Sequence, residues 1–226
     1  MLIEKLSADE ARRELFARIS AADFPCVGAK SAMARGTLKV LAAHSLDSGW
    51  DDLAIHCELI EWAREYRANP QGLRSLAVVF DGPHNLTESR FESLMWQRIQ
   101  SFADKDAWLG EPYDHRVSAD PDDPHFSLSF GGEGFFVVGL HPASSRPGRR
   151  FARPVLVFNL HDQFETLRGD GLYNRMQDAI RARDTEIAGS PNPMLSKHGE
   201  TSAARQYSGR AVDADWRCPF NDKRAS

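Results

Sequence analysis

Residues 126–130 read Phe-Ser-Leu-Ser-Phe and residues 135–141 read Phe-Phe-Val-Val-Gly-Leu-His, with Gly131-Gly132 turning the chain between them. The first run alternates apolar and polar side chains, the period of a strand with one buried face. The second is apolar throughout, as a strand covered on both faces is. Pro154-Val-Leu-Val-Phe-Asn159 is a further buried strand. The connection before it has no helical period, so these two strands are predicted as antiparallel neighbours. Residues 75–80, Ser-Leu-Ala-Val-Val-Phe, add another strand that ends in the turn Asp81-Gly82-Pro83.

Helical periods surround these strands. Ser7-Ala-Asp-Glu10 is a capping box followed by Ala11, Leu15 and Ile19 at helical spacing. A second helix is predicted over about residues 29–43, and a third over 52–67 with Ile55, Leu59, Trp62 and Tyr66 on one face. Ser89 and Glu92 cap a fourth, and a polar connection follows over about 104–124. Two more helices begin near Asp162 and Leu172. The stretch from Gly189 to Phe220 has no clean period. It carries Met194, Leu195, Tyr207, Trp216 and Phe220, so it is expected to dock rather than float. The fold class is therefore α+β, a mostly antiparallel sheet packed with several helices in a single domain over residues 1–220. A polar tail, 221–226, is expected to be disordered.

Composition narrows the function. The 226 residues are 42% hydrophobic and 27% charged, the balance of a chain with a real core. A net charge of −4, from 28 basic and 32 acidic residues, gives no electrostatic reason to expect nucleic acid as partner. No apolar run approaches the roughly 20 residues of a membrane span, and Met1–Lys5 lacks the apolar stretch of a signal peptide. Three cysteines, Cys26, Cys57 and Cys218, without a Cys-x-x-Cys pair fit reduced thiols. A cytoplasmic protein is expected.

Three segments carry candidate chemistry. In Phe24-Pro-Cys-Val-Gly28, Cys26 stands immediately before a predicted helix. Unpaired N–H groups and the helix dipole there lower a thiol's pKa, as a metal ligand or nucleophile requires. A small buried residue at a helix entry is the plainer alternative. Gly28-Ala-Lys-Ser31 lacks the spacing of a phosphate-binding loop, so nucleotide binding is rejected. The second segment, His141-Pro-Ala-Ser-Ser-Arg-Pro-Gly-Arg-Arg-Phe-Ala-Arg153, holds a histidine, Ser144, Ser145 and four arginines, a density suited to carboxylates or phosphates. A solvated basic loop is the alternative. His161 lies about 20 Å from His141 if their strands are antiparallel, at ~3.3 Å per residue, so a shared metal is not expected and His161 is read as a cap or core residue. The third segment runs from Arg205 to Arg210 and on to Trp216-Arg-Cys-Pro-Phe220, whose Cys-Pro is a weak haem-binding pattern. The remaining histidines, His44, His56, His84, His115, His125 and His198, show no ligand spacing.

These segments, in order over about residues 20–220, resemble the YqcI/YcgG family. The resembling blocks are Phe24–Ala32, Gly139–Arg146, Phe158–Glu165, Asn192–Leu195, and Ala204–Arg210 with Trp216–Phe220. Members of that family include haem-dependent N-hydroxylases acting on arginine or other guanidines. Cys26-Val27-Gly28 is also similar to the thiolate-ligand segment of nitric oxide synthases, which hydroxylate the same kind of nitrogen. The resemblance implies a monooxygenase with haem b, dioxygen, a small nitrogenous substrate and a separate electron-donor reductase. It implies Cys26 as axial ligand with Gly28 shaping the ligand loop and Lys30 adding positive charge. Arg146, Arg149 and Arg150, with Ser144, Ser145, Gln206 and Tyr207, would hold haem propionates or a substrate carboxylate. His141 would hold a propionate, act on the distal side, or replace Cys26 as ligand. Glu88, Glu92 or Glu133 would meet a guanidinium. Two rivals remain: a non-catalytic haem-binding sensor or carrier, and a metal-independent enzyme with Cys26 as nucleophile and His141 as base.

Overall fold

The computed structural model describes residues 6–169, 171–195 and 199–225. Met1–Lys5, His198 and the last position of the tail, 226, lie outside them. One five-stranded sheet organises the chain, built from β1 (Leu38–Ser45), β2 (Ser75–Gly82), β3 (Leu128–Phe130), β4 (Glu133–Leu140) and β5 (Val155–Leu160) in the order β1-β2-β5-β4-β3. β1 and β2 are parallel, and every other pairing is antiparallel. The α+β class follows, and β4 and β5 are the antiparallel neighbours their sequences predict. The register Leu140↔Val155 and Phe135↔Leu160 sends His141 and His161 to opposite ends of that pair.

Strand parity divides the core in two, because successive side chains alternate between faces. Leu76, Val78, Phe80, Phe135, Val137, Leu156 and Phe158 face α3 (Asp52–Ala68) and α4 (Glu88–Leu109), which supply Leu59, Phe91, Ile99 and Phe102 among others. Ala77, Val79, Leu140, Val155 and Leu38 face the opposite side. There α1 (Ala8–Ser20) contributes Ala11, Leu15 and Ile19, and α2 (Val27–Ala34) contributes Ala32. The Ser7 hydroxyl accepts the Glu10 N–H, so the predicted cap of α1 is formed. Two further helices, α5 (His161–Gly169) and α6 (Tyr173–Ala188), pack on the same side as α1 and α2, and a one-turn α7 (Ala204–Tyr207) packs on β4.

Three expectations are corrected. The helix predicted over 29–43 stops at Ala34, and residues 38–45 form β1. Gly36 at φ 71° and the Thr37 N–H bonded to the Ala32 carbonyl end the helix, overriding the helix propensity of the following Leu, Lys and Ala. The polar connection begins later than 104, because α4 runs to Leu109 and is capped by Gly110 at φ 74°. The expected disordered tail is anchored over 221–225. Asp222 is buried, and the Arg224 guanidinium pairs with buried Asp106 at 2.5 Å and with Asp222 at 2.7 Å. The segment from 199 to 220 docks as predicted, burying Tyr207, Val212 and Phe220.

Candidate active site

Cys26 is the N-cap of α2, with extended backbone at φ −78° and ψ 102°. Its Sγ accepts the Ala29 N–H at 3.4 Å, satisfying one of the donors a helix start leaves unpaired. Pro25 holds Phe24 extended ahead of it. Pro25 in turn rests on Gly148, where a Cβ would come within 2.7 Å of the proline ring. That contact joins the cysteine turn to the 3-10 turn Pro147–Arg149. Opposing influences meet at the thiol. Burial is the largest and pushes its pKa up, while the Ala29 and Gly28 N–H groups and the Arg149 and Lys30 charges pull it down. The net shift is upward, so the helix start does not by itself make Cys26 a thiolate. Desolvation outweighs it.

Cys26 lines a cavity of about 290 Å³, near the lower end of the range for ligand pockets. The floor is the sheet face carrying Ser75, Ala77, Phe136, Val138, Val157 and Asn159, all of one parity across β2, β4 and β5. The wall opposite is α6, which presents Met176, Gln177, Ile180 and Arg181. At the β5 end, His161, Gln163 and Phe164 of α5 close the cavity. At the other end stand Cys26, Gly28, Ala29 and Arg149. The two ends differ in polarity. Near β5, the Ser75 hydroxyl donates to Asn159 Oδ1 at 2.7 Å, and Gln163 Oε1 accepts the Arg74 N–H at 2.7 Å. His161 Nδ1 pairs with the Ser127 hydroxyl at 3.0 Å and Nε2 lies 3.1 Å from Glu165; burial holds its pKa below the usual histidine value. At the Cys26 end, Arg149 donates to the carbonyls of Gly139, Tyr207 and Gln206, each at 3.1 Å. Burial lowers its guanidinium pKa to about 10.

Of the residues that the resemblance nominates for the site, Cys26, Gly28, Arg149 and Gln206 line this cavity, and His161, expected only as a cap or core residue, lines it as well. The others lie elsewhere. Lys30 donates to the Ala21 carbonyl. Arg146 is paired with Asp184 and Ser190, and Arg150 donates outward to the Ser144 and Ser145 carbonyls. Ser145 is bonded to Glu88 through both its N–H and its hydroxyl. Tyr207 is buried against Phe136, Phe126 and Trp96. His141 is fully buried on the α4 side of the sheet, stacked on Phe91 at 4.3 Å, with neither ring nitrogen hydrogen-bonded. Strand parity is the reason: 136, 138 and 140 face the cavity, so 141 faces away. Cys26 and His141 therefore form no hydrogen-bonded nucleophile–base pair. The three carboxylates nominated for a guanidinium are engaged away from the cavity: Glu88 by Ser145, Glu92 by Arg210 and Ser208, and Glu133 by Arg116.

The cavity wall formed by α6 and the polar residues Ser75, Asn159 and Gln163 were missed by motif reading. The signal was available in the parity of β2 and β5, which puts Ser75 and Asn159 on the face of Ala77 and Val157. Among the described residues no cluster of three or more His, Cys, Asp or Glu is placed to hold a bare metal ion, and no helix is long and apolar enough to cross a membrane. The donor set instead offers one sulfur, supported by a backbone N–H, in a mostly apolar chamber beside a cation. The model of the YqcI/YcgG family matches residues 15–221. No curated protein and no solved structure matches the chain.

Proposed function

The chain belongs to the YqcI/YcgG family, and from that premise we propose that it is a haem b monooxygenase that N-hydroxylates a small guanidine- or amine-bearing molecule. The observation that carries this reading is Cys26 in the wall of the cavity, its Sγ accepting a helix-start N–H. His141, the alternative ligand, lies behind the sheet, which favours Cys26. A buried thiol above its ordinary pKa binds iron by losing its proton, which makes loading pH-dependent. Cys26 would hold the haem, which would supply the dioxygen chemistry.

The residues of the chain do the rest. The Ala29 N–H tempers the basicity of the sulfur. The face formed by Ala77, Phe136, Val138 and Val157 excludes water, and Asn159 with Ser75 presents a fixed polar pair at the far end. Electrons come from a separate reductase, since no flavin or nicotinamide motif is present in the sequence.

Spectroscopy of haem-reconstituted protein tests the ligand. The reduced-CO complex should show a thiolate-type Soret band that disappears in Cys26→Ala. A histidine-type spectrum that survives Cys26→Ala and is lost in His141→Ala would overturn the assignment. Oxygen-dependent turnover with arginine and simple guanidines separates an enzyme from a non-catalytic haem-binding protein.

A further inference from the structure

The arginine loop contains four guanidinium groups, and three of them are accounted for within the fold. Arg146 is neutralised by Asp184, and Arg153 by Glu14 and Asp81. Arg150 reaches the Ser144 and Ser145 carbonyls on the outer side of the loop. Arg149 is different. It lines the cavity and is fixed by three backbone carbonyls contributed by β4 and α7, and no carboxylate among the described residues forms an ion pair with it; Asp184, which lines the same cavity and offsets part of its charge, is bound to Arg146.

Counting donors shows what remains. An arginine has five N–H groups. Two on Nη1 go to Gly139 and Tyr207, and one on Nη2 goes to Gln206. The Nε–H and the second Nη2–H are left, the pair that an arginine offers side-on to a carboxylate. The mount is rigid. The 3-10 turn is held by Arg18, which donates to the Pro147 and Arg150 carbonyls at 3.0 Å each, and Gly148 is pressed on Pro25. A positive charge in a largely apolar chamber has little water to stabilise it, so an anion from the ligand replaces that solvation.

We propose that Arg149 is the anion anchor of this cavity and that the molecule bound there carries a carboxylate, gripped side-on by Nε–H and Nη2–H. This deepens the preceding reading and rests on it only in taking the cavity as the ligand site. A carboxylate could come from a haem propionate or from an amino-acid substrate, and one set of titrations separates them. Haem b is compared with its dimethyl ester by absorbance. L-Arginine is compared with agmatine, which lacks the carboxylate, by calorimetry on both haem-free and haem-loaded protein.

In the wild-type chain at least one pair should differ by tenfold or more in favour of the acid. The first pair identifies a propionate and the second a substrate. In Arg149→Met that preference should collapse to within about twofold. Arg149→Lys retains the charge and can still donate to the three carbonyls, but it lacks the fork. It should keep the fold and lose most of the preference, which guards against a misfolded methionine variant. Equal affinity within both pairs, including binding by neither acid, overturns the proposal, as does a preference that survives in Arg149→Met. A missing haem spectrum alongside a clear arginine-over-agmatine preference would instead sink the haem reading and leave the anchor standing.

Discussion

His141 is a neutral imidazole enclosed by protein, with no hydrogen bond at either nitrogen among the described residues. Burial lowers its pKa to about 4, with Glu88 opposing the shift and Arg149 adding to it. In the unfolded chain the ring takes up a proton near pH 6.5. Between pH 6.5 and 4 the unfolded state therefore binds a proton that the native state refuses, and stability falls as the pH drops. The loss reaches about 3 kcal/mol at the acid end of that window. Urea unfolding across the window should show this decline in the wild type and a flatter profile in His141→Phe, whose ring can still stack on Phe91. An identical slope in the variant would show that His141 is not the group responsible. At this scale the sequence was legible in part. Cys26 was recognisable from its neighbours, because a proline before and a glycine after mark a helix start. The face taken by His141 was also available, by counting from Phe136, but a motif read as a linear string conceals that parity. The opposing effect of burial on the Cys26 thiol was not available, since it depends on side chains as distant in sequence as Met176.

Among the elements, α6 is long but buries little. Asp184 is the only buried residue of its sixteen. Its partner is Arg146, itself buried and bonded also to the Ser190 carbonyl. The helix is flanked by Gly171 at φ 67° and Gly189 at φ 73°, two points where the backbone turns freely. Asp184→Asn removes the charge partner and leaves a buried guanidinium, which should free α6 locally by roughly 3 kcal/mol. Hydrogen exchange should accelerate over 173–188 at least tenfold, while β2 and β5 remain protected. Uniform acceleration over the whole chain would show that the pair supports the core instead. The helical periods of α1, α3 and α4 were plain in the sequence because each carries a buried apolar stripe. β1 is concealed in the sequence because good helix formers stand on both sides of Gly36, and pairing with β2 makes those after it a strand.

Over the whole molecule, a buried ion-pair cluster ties the last described residues to the core. Near the C-terminus, Arg224 joins Asp222, Asp106 and the Ser129 carbonyl, and Asp106 is shared with His56 and the Gly131 N–H. This cluster links α3, α4, the β3–β4 turn and the last described residues. Arg224→Ala leaves two buried carboxylates without their cation. The expected cost is about 3–5 kcal/mol, or a fall in Tm of roughly 10 °C by thermal denaturation. A change under about 2 °C would mean that the segment is an appendage, as its polar composition suggested. The sequence could not reveal this clasp, because a terminal arginine pairs with a buried aspartate more than a hundred positions away.

The cavity under α6 also bears on how the folded chain is completed. Met176 and Ile180 line that chamber together with the sheet face, so a ligand seated there would touch both layers at once. Such a molecule acts as a piece of the hydrophobic interior supplied from outside, and every atom it buries adds to the stability of the protein as well as to its own affinity. Ligand occupancy and resistance to unfolding would then be two readings of one equilibrium.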